Sequence, residues 1–293
     1  MPCSAITLSL ATIASIIAVA LLAIAFATDN WVYIEVKRSN IQDYLSSNPN
    51  VQNEALVDSV NTKYYYYTRT KGLFRICFPK ERPPTVKTYL SPVETHCTNI
   101  NYFIPDENNE TKDFTDDAWT RLHMGRSTIA LFILSFLTVL AAFFTGVTGC
   151  WRRSPSNITA TAILMLLACL LSAGAMGLWH AVEFYEKEKV VGEEYYQQWN
   201  SILQEYTTTS YDWSFVLAWL GVMFSLCSSF LFVFGACCLG SEKEREQLNN
   251  VQYIMPVYPQ KQQYAYAGYA VPPPQAYPAP YYTTGSTYGP YNY

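Results

Sequence analysis

Apolar residues along this chain fall into four long runs separated by polar segments of very unequal length. Residues 1–28, 127–151, 154–182 and 213–241 contain no Asp, Glu, Lys or Arg. About 20 apolar residues wound as a helix cross the roughly 30 Å of bilayer hydrocarbon. The pattern therefore predicts membrane-spanning helices over residues 5–28, 127–151, 157–180 and 213–238. Trp31, Trp151, Trp179 and Trp213 stand at the ends of these runs, where an amphipathic ring favours the headgroup level. Small residues recur every fourth position at Ala14 and Ala18, at Ala141, Thr145 and Gly149, at Ala173 and Gly177, and at Gly221, Ser225 and Ser229. Such stripes let helices approach closely and predict a packed bundle, although Gly and Ala are also simply common in membrane helices.

A different period governs the first polar segment, residues 29–126. "NWVYIEV", "KYYYYTRT", "GLFRICF" and "TVKTYL" are rich in aromatic and β-branched residues and bounded by Gly, Pro, Asn or Ser, which predicts short antiparallel strands. Between them, "SNPNVQNEALVDSVN" offers Asn48 as an N-cap, Pro49 at the first helical position, and Val51, Ala55, Leu56 and Val60 along one side. That predicts a small helix inserted in the sheet. Thr115, followed by Asp116 and Asp117, reads as a cap that starts the second long helix above the membrane.

Charge then orients the chain. Lys and Arg of short loops stay on the cytoplasmic side, so "CWRRSPSN", with Arg152 and Arg153 and no acid, is expected there. The loop 181–212 carries an excess of Glu, which suits the outside. Both termini are then cytoplasmic and residues 29–126 extracellular. "AFAT" near residue 27 also fits a cleavable leader, but no positive charge precedes the run and it exceeds the roughly 7–15 apolar residues of a leader.

This topology sorts the cysteines. Only Cys77 and Cys97, with nineteen residues between them, lie in the oxidising compartment, which predicts a disulfide; a metal site using His96 and Cys97 is the alternative. Asn109 in "NET" is the expected glycan acceptor, and Asn157 in "NIT" is on the wrong side. Cys237 and Cys238 end the fourth run, where juxtamembrane cysteines are common palmitoylation sites or are merely buried small apolar groups. No Asp, Glu, Lys or Arg lies inside a span and His180 stands at a boundary, which disfavours proton relays and ion-coupled transport. There is no phosphate-binding loop, HExxH or GxSxG, hence no catalytic constellation and no enzyme, cofactor or metal is expected. The scattered basic residues and a net charge of −4 show no nucleic-acid footprint. Residues 241–293 form a tail with eleven tyrosines and eight prolines but one charge beyond Glu246. That composition predicts disorder, and "VPPPQAYPAPYY" suits docking to SH3 or WW domains or to cytoskeletal adaptors, with an inert linker as the bland reading.

Trp31, "GLFRIC" at residues 72–77, Cys97 and the four runs together resemble the claudin and peripheral myelin protein superfamily, over residues 1 to about 240. "TDNW" at the end of the first run resembles more closely its calcium-channel gamma-subunit and stargazin-like branch. Phe74 stands where the family has a second tryptophan, and the outer loop is long. The resemblance implies an α+β membrane fold: a left-handed four-helix bundle carrying an extracellular antiparallel sheet of about five strands, with a disulfide between neighbouring strands. It also implies structural roles for Trp31, Gly72, Leu73 and Phe74, Gly72 through a backbone conformation closed to bulkier residues. The function it implies is a non-enzymatic plasma-membrane accessory protein that binds an ion channel or cell-surface receptor laterally; the alternative is an adhesion or junction protein, with homo-oligomers.

Overall fold

The computed structural model describes residues 3–48, 54–91, 95–103, 116–190 and 205–254. In chain order the elements are α1 (Cys3–Ala27), β1 (Val32–Val36), α2 (Arg38–Ser47), α3 (Glu54–Thr62), β2 (Arg69–Lys71), β3 (Arg75–Phe78), β4 (Tyr89–Leu90) and β5 (His96–Asn99). Then follow α4 (Asp116–Trp151), α5 (Pro155–Phe184), β6 (Thr207–Tyr211) and α6 (Trp213–Ile254). Two compact units divide the chain, Met1–Asn249 and Asn250–Tyr293. Of the second, only the end of α6 is among the described residues.

Helices α1, α4, α5 and α6 are long and apolar enough to cross a membrane. The 36 residues of α4 extend about 54 Å at 1.5 Å per residue, well beyond the hydrocarbon. Its start at Asp116 rather than at residue 127 follows from this: residue 127 marks where charge ends, not where the helix begins. Likewise α6 runs past residues 238 and 241, because "SEKEREQ" consists largely of strong helix formers and no Gly or Pro follows Gly240 before Pro256.

The bundle packs through small residues. Ala14 and Ala18 on α1 and Ser225 and Ser229 on α6 are buried, and a side chain at Gly221 would meet Leu22 Cγ at 2.7 Å. Serine hydroxyls bridge helices by donating to backbone carbonyls: Ser135 to Ala168 (2.9 Å), Ser228 to Ala11 and Ser229 to Ala162 (3.0 Å each). Two of the anticipated stripe positions do not pack inward. Ala141 is exposed, and Gly177 has nothing within 4 Å of where a Cβ would stand.

The sheet has six strands in the order β4-β5-β3-β2-β1-β6, one more than expected. All neighbours are antiparallel. The extra strand is β6, which pairs with β1 from Val32↔Tyr211 to Val36↔Thr207; three successive threonines supply its β-branched character. Other anticipated strands are shorter. Tyr64–Tyr66 form a 3₁₀ turn and only Arg69 and Thr70 of "KYYYYTRT", continued by Lys71, join the sheet, while "TVKTYL" contributes Tyr89 and Leu90 alone.

The inserted helical region also differs from expectation. It holds two helices, and Asn48 closes the end of α2 instead of opening a helix: its backbone N–H donates to Tyr44 and Leu45 carbonyls. Pro49 and Val51 lie outside the described residues. Ile41 and Leu45 of α2, Val60 of α3, Tyr65, Tyr66 and Tyr67, Val36 and Phe78 form an apolar core of their own, distinct from those of the bundle. Helices α2 and α3 thus cover one face of the sheet.

Candidate functional site

The seam between sheet and bundle concentrates the chain's unusual residues, and each residue of "TDNW" has a separate task there. Thr28 hydroxyl meets Ser214 hydroxyl at 2.8 Å. Asp29 pairs with the Arg75 guanidinium at 2.7 Å. Asn30 Nδ2 donates to Asp212 Oδ2 at 3.0 Å, and the Asn30 carbonyl accepts from Ser214 N–H at 3.1 Å. Trp31 is fully buried, and its indole N–H donates to the Ala25 carbonyl at 2.8 Å, satisfying an acceptor that the end of α1 leaves without an intrahelical partner.

The Trp31 ring also meets Phe132 of α4, Trp179 of α5 and Phe215 of α6 at centroid distances of 5.9, 5.3 and 6.2 Å. One side chain therefore contacts all four bundle helices. Burial raises the Asp29 carboxyl above its ordinary range, outweighing the pull of Arg75, while Asp29 keeps Arg75 firmly protonated against its own burial. An ion pair so placed contributes more to registering sheet against helix than to net stability.

Gly72, Leu73 and Phe74 form the turn between β2 and β3, closed by Gly72 N–H donating to the Arg75 carbonyl at 2.9 Å. Leu73 is fully buried, and Phe74 packs edge-on against Phe26 at 5.0 Å. Gly72 is needed for space rather than for an unusual backbone angle: a Cβ there would come within 2.5 Å of Asp29 Cα. Because that atom is backbone, it cannot swing aside. Gly72→Ala is expected to lower stability by about 1–3 kcal/mol through overpacking. Gly177→Ala, at an open helical position, is expected to be neutral or to stabilise by up to about 1 kcal/mol. Parallel thermal melts of the two detergent-purified variants check the contrast.

Tyr102 buttresses the same turn. Its hydroxyl donates to the Leu73 carbonyl at 2.7 Å, and its own carbonyl accepts from Arg126 Nε at 2.7 Å. Burial pushes the Tyr102 phenol up to about 12, so it remains a donor at any physiological pH. Beside it, Lys71 and Arg121 both pair with Glu186, and Lys71 lies over the Trp179 ring at 5.4 Å. The sequence marked Asp29 and Asn30 only as part of the "TDNW" motif, and gave neither them nor Tyr102 or Asp212 a role of its own. The signal available for the first two was a polar triplet, Thr28-Asp29-Asn30, ending an apolar run immediately before a tryptophan.

Cys77 and Cys97 are directly opposite in the β3–β5 ladder and are joined, with Cα atoms 4.0 Å apart. Of the two spacings in an antiparallel pair, this matches the closer one, about 4.5 Å. No cluster of three or more His, Cys, Asp or Glu side chains suited to a metal occurs among the described residues. Asn109 and Thr115 lie outside them.

At the opposite end of the bundle the two adjacent cysteines part company. Cys237 is exposed and free, whereas Cys238 meets Cys3, with Cα atoms 5.9 Å apart. Neighbouring residues on a helix of 3.6 residues per turn point about 100° apart, so the pair cannot share one environment. The two expected acylation positions thus differ in surroundings: Cys237 is exposed, while Cys238 stands against Cys3.

A model of the family described as "PMP-22/EMP/MP20/Claudin tight junction" matches residues 16–234, which spans α1 from its middle, the whole sheet, α4, α5 and the membrane part of α6. Four apolar helices, a six-stranded antiparallel sheet and a strand-to-strand disulfide accompany the match, and the chain belongs to the claudin and peripheral myelin protein family.

Proposed function

We propose that this chain is a non-enzymatic accessory or organising protein of the plasma membrane. Its bundle and sheet bind an ion channel or cell-surface receptor laterally, and its Tyr- and Pro-rich tail recruits SH3, WW or cytoskeletal adaptors. In this reading the sheet end is extracellular, Asn109 carries a glycan, and the turn bearing Arg152 and Arg153 faces the cytoplasm with both termini. The supporting observation is the outer lobe. Helices α2 and α3 cover the sheet with a core of their own, and an ordered lobe of that kind presents a fixed surface to the outer domain of one partner. It loses little conformational entropy on binding.

The family's tight-junction description favours a second reading, a cell–cell junction protein whose outer face meets an opposing cell and whose copies associate side by side. Crosslinking and affinity purification from native membranes tests the choice. Recovery of a channel or receptor, retained when residues 251–293 are deleted while cytoplasmic partners are lost, supports the accessory role. Recovery of junction proteins and further copies of this chain alone would replace it with the junction role.

A further inference from the structure

Cys3 and Cys238 are 235 residues apart in sequence, yet their Cα atoms lie 5.9 Å apart. That falls within the roughly 4.4–6.8 Å over which two cysteines are bridged without moving backbone. Rigid elements hold the approach. Higher on the bundle, the Ser228 hydroxyl donates to the Ala11 carbonyl at 3.0 Å. Next, Gly235 admits Leu8, whose Cδ2 would stand 2.7 Å from any Cβ there. At the end, the Glu242 carboxylate accepts from the Ser4 hydroxyl at 2.6 Å and from the Ser4 N–H at 3.2 Å. Helices α1 and α6 are thus in register from Ser228 to Glu242 of α6, the stretch that contains Cys238.

We propose that Cys3 and Cys238 form a reversible dithiol–disulfide clasp between the start of α1 and the cytoplasmic end of α6, closed by peroxide. The proposal rests on the orientation given above, in which this end faces a reducing compartment where thiols stay reduced unless oxidised. One thiolate attacks the peroxide, forming a sulfenic acid and releasing water after protonation; the second thiolate attacks that sulfur and displaces the second water. Two thiols and one hydrogen peroxide become one disulfide and two waters, and a cellular dithiol such as that of a thioredoxin reverses the bond by exchange. Closure has a consequence for acylation. It removes Cys238 as an acceptor and leaves Cys237 of the adjacent pair, whereas the open clasp offers both juxtamembrane thiols.

The test uses the full chain in intact cells grown with an inhibitor of protein acylation, so that no thioester masks Cys238. Cells are treated briefly with hydrogen peroxide, free thiols are blocked with N-ethylmaleimide at lysis, and peptides are mapped without reduction. Untreated cells should yield alkylated Cys3 and Cys238. Peroxide should abolish both and produce a Cys3–Cys238 linked peptide, which a recovery period in peroxide-free medium removes, while the Cys77–Cys97 link persists throughout. Cys3→Ser should leave no intramolecular partner for Cys238. Alkylated Cys3 and Cys238 after peroxide, or Cys238 linked to Cys237 or to a second chain, would overturn the clasp. A link already complete in untreated cells would overturn its reversibility. Labelling of the exposed Cys150 from outside by an impermeant maleimide then shows whether the orientation is the part at fault.

Discussion

Trp31→Ala is expected to remove about 3–5 kcal/mol of stability, the cost of truncating a fully buried large aromatic side chain. Native domains hold only about 5–15 kcal/mol in reserve, so most of the protein should fail to reach the cell surface. The reason is geometric as much as apolar. Phe132, Trp179 and Phe215 come from α4, α5 and α6 and converge on one indole, whose N–H also closes α1 at Ala25. No smaller side chain reaches all four. Trp31→Phe separates the two contributions: it keeps much of the ring packing and loses the indole hydrogen bond, leaving the Ala25 carbonyl with only the longer one from the Thr28 hydroxyl at 3.4 Å, at a cost of about 0.5–1.5 kcal/mol. Surface biotinylation together with thermal melting of detergent-purified protein should rank wild type above Trp31→Phe above Trp31→Ala. A Trp31→Ala protein that melts and traffics like wild type would show that the sheet seats on the bundle without this ring.

The bundle was legible in the sequence because bilayer length and the exclusion of charge are strong constraints on composition. Trp31, Gly72 and the Cys77–Cys97 pair were legible through resemblance and compartment. What escaped was set by long-range pairing. Strand β6 is a polar five-residue segment whose one ladder among the described residues is with β1, some 170 residues earlier, and no local period announces a partner so distant. Helix α2 escaped because two buried residues, Ile41 and Leu45, make too narrow a stripe to stand out from its Ser, Asn and Gln. Gly72 was assigned a conformational role when its role is steric, a distinction that depends on where the Asp29 backbone passes. Cys238 was separated from Cys237 only by the position of Cys3, at the far end of the chain.

Cys97→Ser is expected to destabilise chiefly one edge of the sheet and to spare the bundle. Strands β4 and β5 join the rest through the β3–β5 ladder, whose register sets Cys77 against Cys97, and β4 pairs with β5. Four residue pairs are a short attachment. A bridge closing a loop of this size contributes about 3 kcal/mol in the chain-entropy model. Since 1.4 kcal/mol is a factor of ten, local opening of this edge should become more frequent by on the order of 10²-fold. Amide hydrogen exchange should therefore accelerate at Tyr89, Leu90 and His96–Asn99 while β1, held between β2 and β6, and the helices stay protected. Substitution is preferable to a reducing agent here, because reductant would also act on Cys3 and Cys238. The double variant Cys77→Ala, Cys97→Ala removes the thiol left behind by the single change. If loss of the bridge is the cause, its exchange profile should match that of Cys97→Ser. Unchanged exchange at His96–Asn99 in both variants would mean that the ladder alone holds the edge, with the turn anchored by Tyr102 at Leu73 as its main support.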